Sequence, residues 1–440
     1  MRTAASIVLA TAVTAAVVVS VVSAQELGLA ALRDRIDRAA AQVAPKVITW
    51  RRDFHQHPEL GNREFRTSQI IAAHLRSLGL EVRTNVARTG VVGVLRGGRP
   101  GPVVALRADM DALPVTEELD LPFKSTVRTE YNGRQVGVMH ACGHDAHMAI
   151  LMGTAEVLAG MKADLAGSVV FLFQPAEEGA PAGETGGAAV MVAEGALDNP
   201  KVEAVFGLHV FPWETGSIFL RSGGFMAGGD TVRIVVHGRQ THGAMPWSGV
   251  DPIVVASQIV LGLQTIVSRQ SNLTTAPAVV TIGLIQGGNR TNIIPDEVRL
   301  EGTIRTFDPD MRRDIQERVR RTATGIAQSA GATADVSFEA GYPITYNDPA
   351  LTAKMLPTLQ RVATGPFNPN APVVMATEDF SEYQRKVPGI FFHLGVTPKG
   401  KDPRTAEPNH SPRFLVDESA LVTGVRALAN LVVDYAAAAR

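Results

Sequence analysis

The sequence has little cysteine, few aromatic residues and no excess of charge of either sign. Its 440 residues include a single cysteine, so an internal disulfide framework is excluded. Lysine and arginine number 42 against 43 acidic residues, a formal net charge of -1, and no long run of one sign occurs. Nothing in this balance points to nucleic acid or an anionic membrane as a partner. Hydrophobic residues make up 45% and charged residues 19%, the composition of a globular protein with a large core.

One long apolar run occurs, at the N-terminus. Arg2 is followed by an uncharged apolar stretch over residues 4–22, and small residues precede Gln25. This order is typical of a signal peptide, so residues 1–24 are expected to be cleaved near Ala24 and the protein to be exported, either to the periplasm or as a secreted protein. An uncleaved membrane anchor is the alternative, because about 19 apolar residues can span a bilayer.

The single cysteine lies in a histidine-rich segment, residues 139–147. Cys142 and His144 are separated by Gly143, which lets the backbone turn tightly. A thiolate and an imidazole brought together suit zinc or another borderline transition metal. The alternative is a cysteine used only for packing, next to a histidine at a helix start.

Short apolar runs alternate with helical patterns on both sides of this segment. They predict an α/β domain with a mainly parallel central sheet flanked by helices. Asp109, the pair Glu177 and Glu178, and His209 each closely follow a predicted strand. Since sites in open α/β sheets form at the carboxyl ends of strands, we expect these side chains to share one site.

The pattern changes over residues 229–340, where the order β-α-β-β-α-β predicts an inserted ferredoxin-like α+β domain. The α/β pattern resumes after it. We therefore predict a signal peptide over 1–24, an α/β domain in two parts over 25–228 and 341–440, and an inserted domain over 229–340.

The adjacent carboxylates of Glu177 and Glu178 suit a hydrolytic centre. Neighbouring side chains diverge, so one carboxylate can bind a metal while the other faces the water to be activated. A solvated acidic turn is the alternative, and the position of the pair directly after a buried strand argues against it. His209 and His410, each taken alone, fit a structural role as well as a ligand.

Together these motifs resemble the metal-dependent aminoacylase and carboxypeptidase family of peptidases. The similarity is to its amidohydrolase branch, which includes hippurate hydrolases and plant indole-acetyl-amino-acid hydrolases. The matching stretches run from about residue 50 to the C-terminus. They are residues 57–61, 107–114, 139–147, 173–179, 292–295, 302–305, 378–380 and 409–412.

The resemblance implies two divalent metal ions, zinc or manganese, or else cobalt. It places their ligands at Cys142, His144, Glu178, His209 and His410. It also implies that Glu177 is the general base that activates water and later protonates the leaving amine, with Asp109 as a supporting acid.

The resemblance also implies that the α/β domain is the catalytic domain and that the inserted domain over 229–340 is a lid and a dimerisation surface. Three residues of this lid domain complete the implied site. His242, which in the family often comes from a partner subunit, steadies the oxyanion. Arg305 and Asn292 meet the substrate, although an exposed charge is an equal alternative for Arg305. The segment around His242 departs from the usual Gly-Gly-His-Ala-Ala-Met-Pro-His pattern and ends in Trp247. This departure puts the substrate preference in question, and the reaction type is unaffected.

The sequence thus predicts metal-dependent hydrolysis of the amide bond of N-acyl amino acids, giving a carboxylic acid and a free amino acid. A homodimer joined through the lid domain is expected. A carboxypeptidase or dipeptidase is the alternative within the same chemistry. A cysteine hydrolase with Cys142 as nucleophile would leave the Glu177 and Glu178 pair idle. A non-catalytic exported protein that binds N-acyl amino acids is the alternative of another class.

Overall fold

The structure, a computed structural model, describes residues 4–439, with side chains from Glu26 onward. The side chains of residues 1–24, on which export was predicted, lie outside the described residues. The chain divides into two compact units. Unit 1 comprises Met1–Leu220, Asp348–Pro369 and Lys386–Arg440, and unit 2 comprises Arg221–Asn347 and Asn370–Arg385.

The helices are given in chain order. They are α1 (Ala4–Gln56), α2 (Phe65–Ser77), α3 (His144–Ala159), α4 (Gly187–Ala193), α5 (Pro252–Thr265), α6 (Pro309–Ser329), α7 (Pro349–Val362), α8 (Ser381–Gln384) and α9 (Leu421–Ala438).

The strands are numbered in the same way. They are β1 (Glu81–Val86), β2 (Gly90–Arg96), β3 (Arg99–Asp109), β4 (Arg128–Tyr131), β5 (Arg134–Gly137), β6 (Ala166–Gln174), β7 (Ala204–Glu214), β8 (Ile218–Phe219), β9 (Gly223–Met226), β10 (Gly228–His237), β11 (Thr241–His242), β12 (Ala278–Gly287), β13 (Ile293–Ile294), β14 (Glu297–Thr306), β15 (Thr333–Ala340), β16 (Thr345–Asn347), β17 (Phe367–Asn368) and β18 (Gly389–Thr397).

Unit 1 is built on an eight-stranded sheet in the order β1-β2-β6-β3-β7-β18-β8-β17. Its central strands β6, β3, β7 and β18 are parallel, while β1 and β2 add an antiparallel edge. The central strands are apolar along most of their length because both faces of the sheet are covered. The predicted α/β architecture with a mainly parallel sheet is confirmed.

Helices α1, α3 and α9 contribute side chains to one large buried cluster in this unit. Helix α3 is buried on nearly every side, which explains why its sequence is apolar all round. Helix α1 continues through Pro45, although proline removes one backbone hydrogen bond. Buried side chains on both sides of the proline, Val43 and Val47, hold the two halves of the helix in the core.

Unit 2 contains a four-stranded antiparallel sheet in the order β12-β14-β10-β15. Alternate residues of β10, Val232, Ile234 and Val236, are fully buried against α5 and α6. Asp251 and Asp308 cap these two helices by accepting backbone N–H bonds. This strand order with two helices is that of a ferredoxin-like unit.

Candidate metal centre

Three parallel neighbours of the large sheet bring the strand-end residues together. Asp109 is the last residue of β3, and Glu177 follows shortly after β6 ends. His209 lies inside β7 and pairs with His393 of β18. The pairing of the two strands continues beyond His209. Because β6, β3 and β7 run in the same direction, these side chains reach one edge of the sheet.

The cysteine segment meets the same edge through the start of α3. Gly143 immediately precedes the helix with φ +88°, a left-handed conformation that glycine adopts without strain. A Cβ atom there would lie 2.3 Å from Cγ2 of Val210, so no side chain fits. Gly143 therefore sets Cys142 and His144 on either side of a sharp turn, both facing β7.

The donor atoms of the predicted ligands form overlapping groups in unit 1. Within each group the donor atoms lie within 4.8 Å of one another. The Sγ atom of Cys142 is 3.3 Å from Nε2 of His209, and Nε2 of His410 is 3.0 Å from Oε1 of Glu178. The groups share members and so form one cluster: Cys142, His144 and His209; Cys142, Glu178 and His410; and His144, Glu177 and Glu178.

The imidazoles of the cluster are oriented as metal ligands. Nδ1 of His144 lies 2.8 Å from the carbonyl oxygen of Asp111, and Nδ1 of His209 lies 2.8 Å from that of Val210. Each Nδ1–H therefore donates to a carbonyl, which leaves the lone pair of a neutral ring on Nε2. Nε2 of His144 is buried and has no hydrogen-bond partner among the described residues. The donors present thus fit a divalent metal ion.

The charges of the cluster fit a cation as well. Burial raises the pKa of the Cys142 thiol, and the carboxylates of Glu178 and Glu177 raise it further. Burial lowers the pKa of His144, but Asp109 and Asp111 outweigh this and raise it to about 10. In the cation-free protein the thiol therefore keeps its proton and His144 gains one. A divalent cation would displace both protons, because thiolate and neutral imidazole are the metal-binding forms.

Asp109 lies behind the cluster with both carboxylate oxygens engaged. Oδ2 is 2.6 Å from Nη1 of Arg107, and Oδ1 is 2.5 Å from Nδ1 of His147. Burial would raise the pKa of Asp109, but Arg107 and the histidines hold it well below its usual range. His147 in turn accepts the backbone N–H of Val210 at Nε2, 2.8 Å away. Both ring nitrogens of His147 are thus used in fixing Asp109 and the end of β7.

Asp111 holds the backbone of the paired carboxylates, a contact that sequence reasoning missed. Its Oδ1 accepts the backbone N–H of Glu177 at 3.0 Å, and its Oδ2 accepts that of Glu178 at 2.9 Å. The side chain is buried. Its position two residues after Asp109 was a usable signal, because alternate residues of an extended segment point the same way.

His410 is brought to the cluster by a loop that Asn409 anchors. Nδ2 of Asn409 donates to the carbonyl oxygens of Cys142 and Val210, each at 3.1 Å. The backbone N–H of His410 donates to the carbonyl of Ala141 at 2.8 Å. The His410 side chain remains exposed. The loop is therefore fastened to the cysteine segment on one side and to β7 on the other.

Two other histidines of the sequence motifs lie away from the cluster. His55 is buried, with Nδ1 2.8 Å from Asp145 and Nε2 3.2 Å from Glu117. Burial lowers the pKa of His55, but the bonds to these two carboxylates outweigh this and raise it. His57 is exposed and bonds to the carbonyl of Asp53 at 2.9 Å. Both contacts are structural.

The three predicted residues of the inserted domain lie in unit 2. His242 is exposed on β11, and its Nδ1 accepts the backbone N–H of Ala244 at 3.0 Å, so a neutral ring carries its proton on Nε2. Asn292 is its neighbour, since its carbonyl accepts the N–H of Gly243 at 2.8 Å. Arg305 is half-buried on β14 and donates to the carbonyl of Ile304.

Comparison with known proteins identifies the family. Residues 105–434 match the peptidase family M20/M25/M40. The chain is 39% identical to thermostable carboxypeptidase 2 of Saccharolobus solfataricus, over 92% of this chain and 99% of that protein. It is 38% identical to N-acetyl-L-cysteine deacetylase of Bacillus subtilis, over 86% of this chain and 85% of that protein.

A solved structure agrees with this. A dinuclear metal-binding peptidase of the M20 family from Bacillus subtilis superimposes with a TM-score of 0.76 and is 36% identical, covering 90% of this chain and 99% of that one.

The prediction that the protein is exported is wrong. The similar enzymes, among them the Bacillus deacetylase, are of the cytosolic type. The prediction rested on the composition of residues 1–24, and composition does not separate a targeting segment from the apolar start of a helix. The backbone is helical from Ala4 to Gln56 without a break near Ala24. The periplasmic or secreted location and its membrane-anchored alternative therefore no longer stand.

The match over most of the chain, the similar enzymes and the cluster of donor atoms agree with one another. The chain belongs to the peptidase family M20/M25/M40 and is a metal-dependent hydrolase of amide bonds.

Proposed function

We propose that this enzyme hydrolyses the amide bond of N-acyl amino acids, releasing a carboxylic acid and a free amino acid. The observation that carries the proposal is the placement of Glu177 and Glu178, whose oxygens both lie within 4.8 Å of a ring nitrogen of His144. One carboxylate can bind a metal while its neighbour stays close enough to act on water. The similarity to N-acetyl-L-cysteine deacetylase supports an N-acyl amino acid as the substrate class.

The cluster would hold two divalent ions, zinc or manganese, or else cobalt. Bound ions would polarise the scissile carbonyl and activate the attacking water. The overlapping donor groups around Cys142, and the likeness to a dinuclear peptidase, support two ions. The thiolate favours the softer metals in this set. The ligands that we assign are Cys142, His144, Glu178, His209 and His410.

Glu177 is the general base in this proposal. It takes a proton from the attacking water and later delivers it to the leaving nitrogen, a role worth about 10²- to 10⁴-fold in rate. Its side chain is buried and its backbone N–H is fixed by Asp111, which limits the directions that the carboxylate can take. Asp109 supports the cluster without binding metal, because Arg107 and His147 already occupy both of its oxygens.

Unit 2 serves as the lid in this proposal. Nε2–H of His242 would donate to the oxyanion, a role supported by the bond that leaves the proton of a neutral ring on that nitrogen. The guanidinium of Arg305 suits the carboxylate of the amino-acid product, and Asn292 would contact the substrate beside it. Activity then depends on a domain movement.

We also infer a homodimer joined through unit 2. Strand β12 is the edge of its sheet and exposes Leu284 and Ile285, while α5 exposes Val254 and Leu261. An unpaired edge next to exposed apolar residues is a surface that proteins normally cover. A second copy of this chain is the occupant we propose.

The test measures amino-acid release from a panel of N-acyl amino acids and dipeptides by the purified full chain. The protein is stripped with a chelator and assayed with and without added Zn²⁺ or Mn²⁺. We expect release to return only with metal. Glu177→Gln should keep its metal content and lose about 10²- to 10⁴-fold in kcat, whereas Glu184→Gln, which changes a more exposed carboxylate of the same loop, should stay near the parent enzyme.

The alternatives give different results in the same assay. Release that survives metal removal and stops when Cys142 is alkylated would indicate a cysteine nucleophile. Substrate binding without release by the metal-loaded protein would indicate a binding protein.

Cleavage of peptide bonds is a second candidate function. The 39% identity to a thermostable carboxypeptidase over nearly the whole of both chains favours it. The same cluster would perform either reaction, so only the substrate preference differs. Faster release from dipeptides than from N-acyl amino acids would decide for the peptidase.

A further inference from the structure

The segment that presents the two carboxylates has an unusual backbone. Ala176, which directly precedes Glu177, has φ +50°. This left-handed region is disfavoured for a residue with a Cβ, by about tenfold relative to the right-handed one. The conformation persists only if its surroundings hold it, because a free alanine would leave it.

Three successive backbone amides of this segment are held by two buried carboxylates. The N–H of Ala176 donates to Oε1 of Glu64 at 2.9 Å. The next two amides, of Glu177 and Glu178, donate to the two oxygens of Asp111. These two acids therefore fix the backbone from which the side chains of Glu177 and Glu178 extend, and so set the direction of both side chains.

The side-chain contacts of Glu64 are not those of a helix cap. It directly precedes α2, yet its side chain makes no capping bond to the helix. The carboxylate is instead fully buried, and its Oε2 accepts the hydroxyl of Thr89 at 2.6 Å. Both oxygens thus have a donor, one on the turn after β1 and one on the segment after β6.

The two segments approach closely around this contact. A Cβ atom on Gly61 would lie 2.8 Å from the carbonyl oxygen of Gly179 and 3.3 Å from Cα of Ala176. Only glycine allows this approach. The loop before α2 therefore packs directly on the backbone that carries Glu177, and Glu64 supplies the hydrogen bond within that contact.

We propose that Glu64 is a positioning residue that holds Ala176 in its left-handed conformation and so directs the carboxylate of Glu177. The inference rests on the proposed role of Glu177 as the base. Glu64 does not touch the reacting atoms and acts through the backbone of Ala176.

The test compares Glu64→Gln with Glu64→Ala in the metal-loaded enzyme. The glutamine amide can still accept the Ala176 N–H and donate to Thr89, so kcat should stay within about threefold of the parent enzyme. Alanine removes the contact, and kcat should fall by about 10²-fold, the cost of a misplacement of about 1 Å, with KM little changed. Glu184→Ala is the matched control, since it removes a carboxylate that links the same two loops through Asn62 rather than through Ala176.

A second substitution separates positioning from a general loss of structure. Glycine adopts the left-handed conformation freely, so Ala176→Gly in the Glu64→Ala background should restore kcat by about tenfold. Equal losses of kcat in Glu64→Gln and Glu64→Ala would overturn the proposal. A double variant whose loss of kcat equals the product of the losses in Glu64→Ala and Ala176→Gly would overturn it as well. So would a Glu64→Ala enzyme with unchanged kcat.

Measuring Glu177→Gln in parallel keeps the two proposals distinct. An active Glu177→Gln enzyme would refute the assigned base and, with it, the role given to Glu64. An inactive Glu177→Gln enzyme together with a fully active Glu64→Ala enzyme would refute the positioning role alone.

Discussion

Glu64 also makes a prediction about stability, because it is an acid kept in the core. Burial raises its pKa, and the nearby carboxylate of Asp111 raises it further, to about 7 from an ordinary value of 4.5. Among the charged groups around it, Arg63 is the neighbouring cation. Between pH 4.5 and pH 7 the folded protein therefore holds the proton of Glu64 more tightly than the unfolded chain does. The free energy of unfolding therefore falls as the pH rises from 4.5 to 7, and the full penalty is present above about 7.

The size of the effect follows from the shift. A difference of one pKa unit corresponds to about 1.4 kcal/mol, so ionised Glu64 costs the folded state about 3 kcal/mol at pH 8 and under about 1 kcal/mol at pH 5. Glu64→Gln removes this titration while keeping a donor and an acceptor in place. The free energy of unfolding of the variant minus that of the parent protein should therefore increase by about 2 kcal/mol from pH 5 to pH 8.

The assay is denaturant unfolding of the chelator-treated protein at several pH values, followed by circular dichroism. The quantity to compare is how the difference in free energy of unfolding between Glu64→Gln and the parent protein changes with pH. Any cost of replacing the hydrogen bonds that does not depend on pH cancels from this change. Glu184→Gln serves as the control, because that carboxylate is paired with Arg63 and Arg88 near the surface. A Glu64→Gln variant whose stability follows the same pH dependence as the parent protein would refute the reasoning.

Two further predictions concern the buried ion pairs and the assembly. Arg51→Met should lower the free energy of unfolding by about 3–5 kcal/mol, because it removes the guanidinium 2.8 Å from the buried Asp145 carboxylate and leaves that carboxylate with His55. Arg52→Met, which removes a half-exposed partner of Glu418, should cost less than about 1 kcal/mol, and equal costs in urea unfolding would contradict this. Leu261→Glu, on the exposed face of α5, should halve the mass measured by light scattering, whereas a parent protein that is already monomeric would rule out the proposed dimer.

Much of the fold follows from local patterns. The apolar runs of β3, β6 and β7 are recognisable because a strand covered on both faces needs apolar residues throughout. The start of α3 is also set locally, by Gly143 and the residues on either side of it. Pro45 shows the limit of such reasoning, since a proline inside a helix normally ends or kinks it. The core around α1 holds the helix together through the proline, and core packing lies beyond any local pattern.

The candidate site divides in the same way. Asp109, Glu177 and Glu178 could be selected because each lies at or shortly after the end of a strand, and parallel strands end at a common edge. The supporting residues carry no such mark. Glu64 precedes a helix and looks like a cap, and His147 looks like one more polar residue of α3. Their roles depend on partners far away along the chain, at Ala176 and at Val210.

The sequence by itself determined the chemistry, because three features can be recognised along the chain. They are the kinds of donor atoms, the paired carboxylates and the positions of these residues near the ends of predicted strands. The tertiary structure alone decided how those groups are held. It fixed the lone pairs of His144 and His209 on Nε2, gave both oxygens of Asp109 to other partners, and set two buried acids against three successive amides. These arrangements arise from packing between distant segments, and packing is a property of the folded chain as a whole.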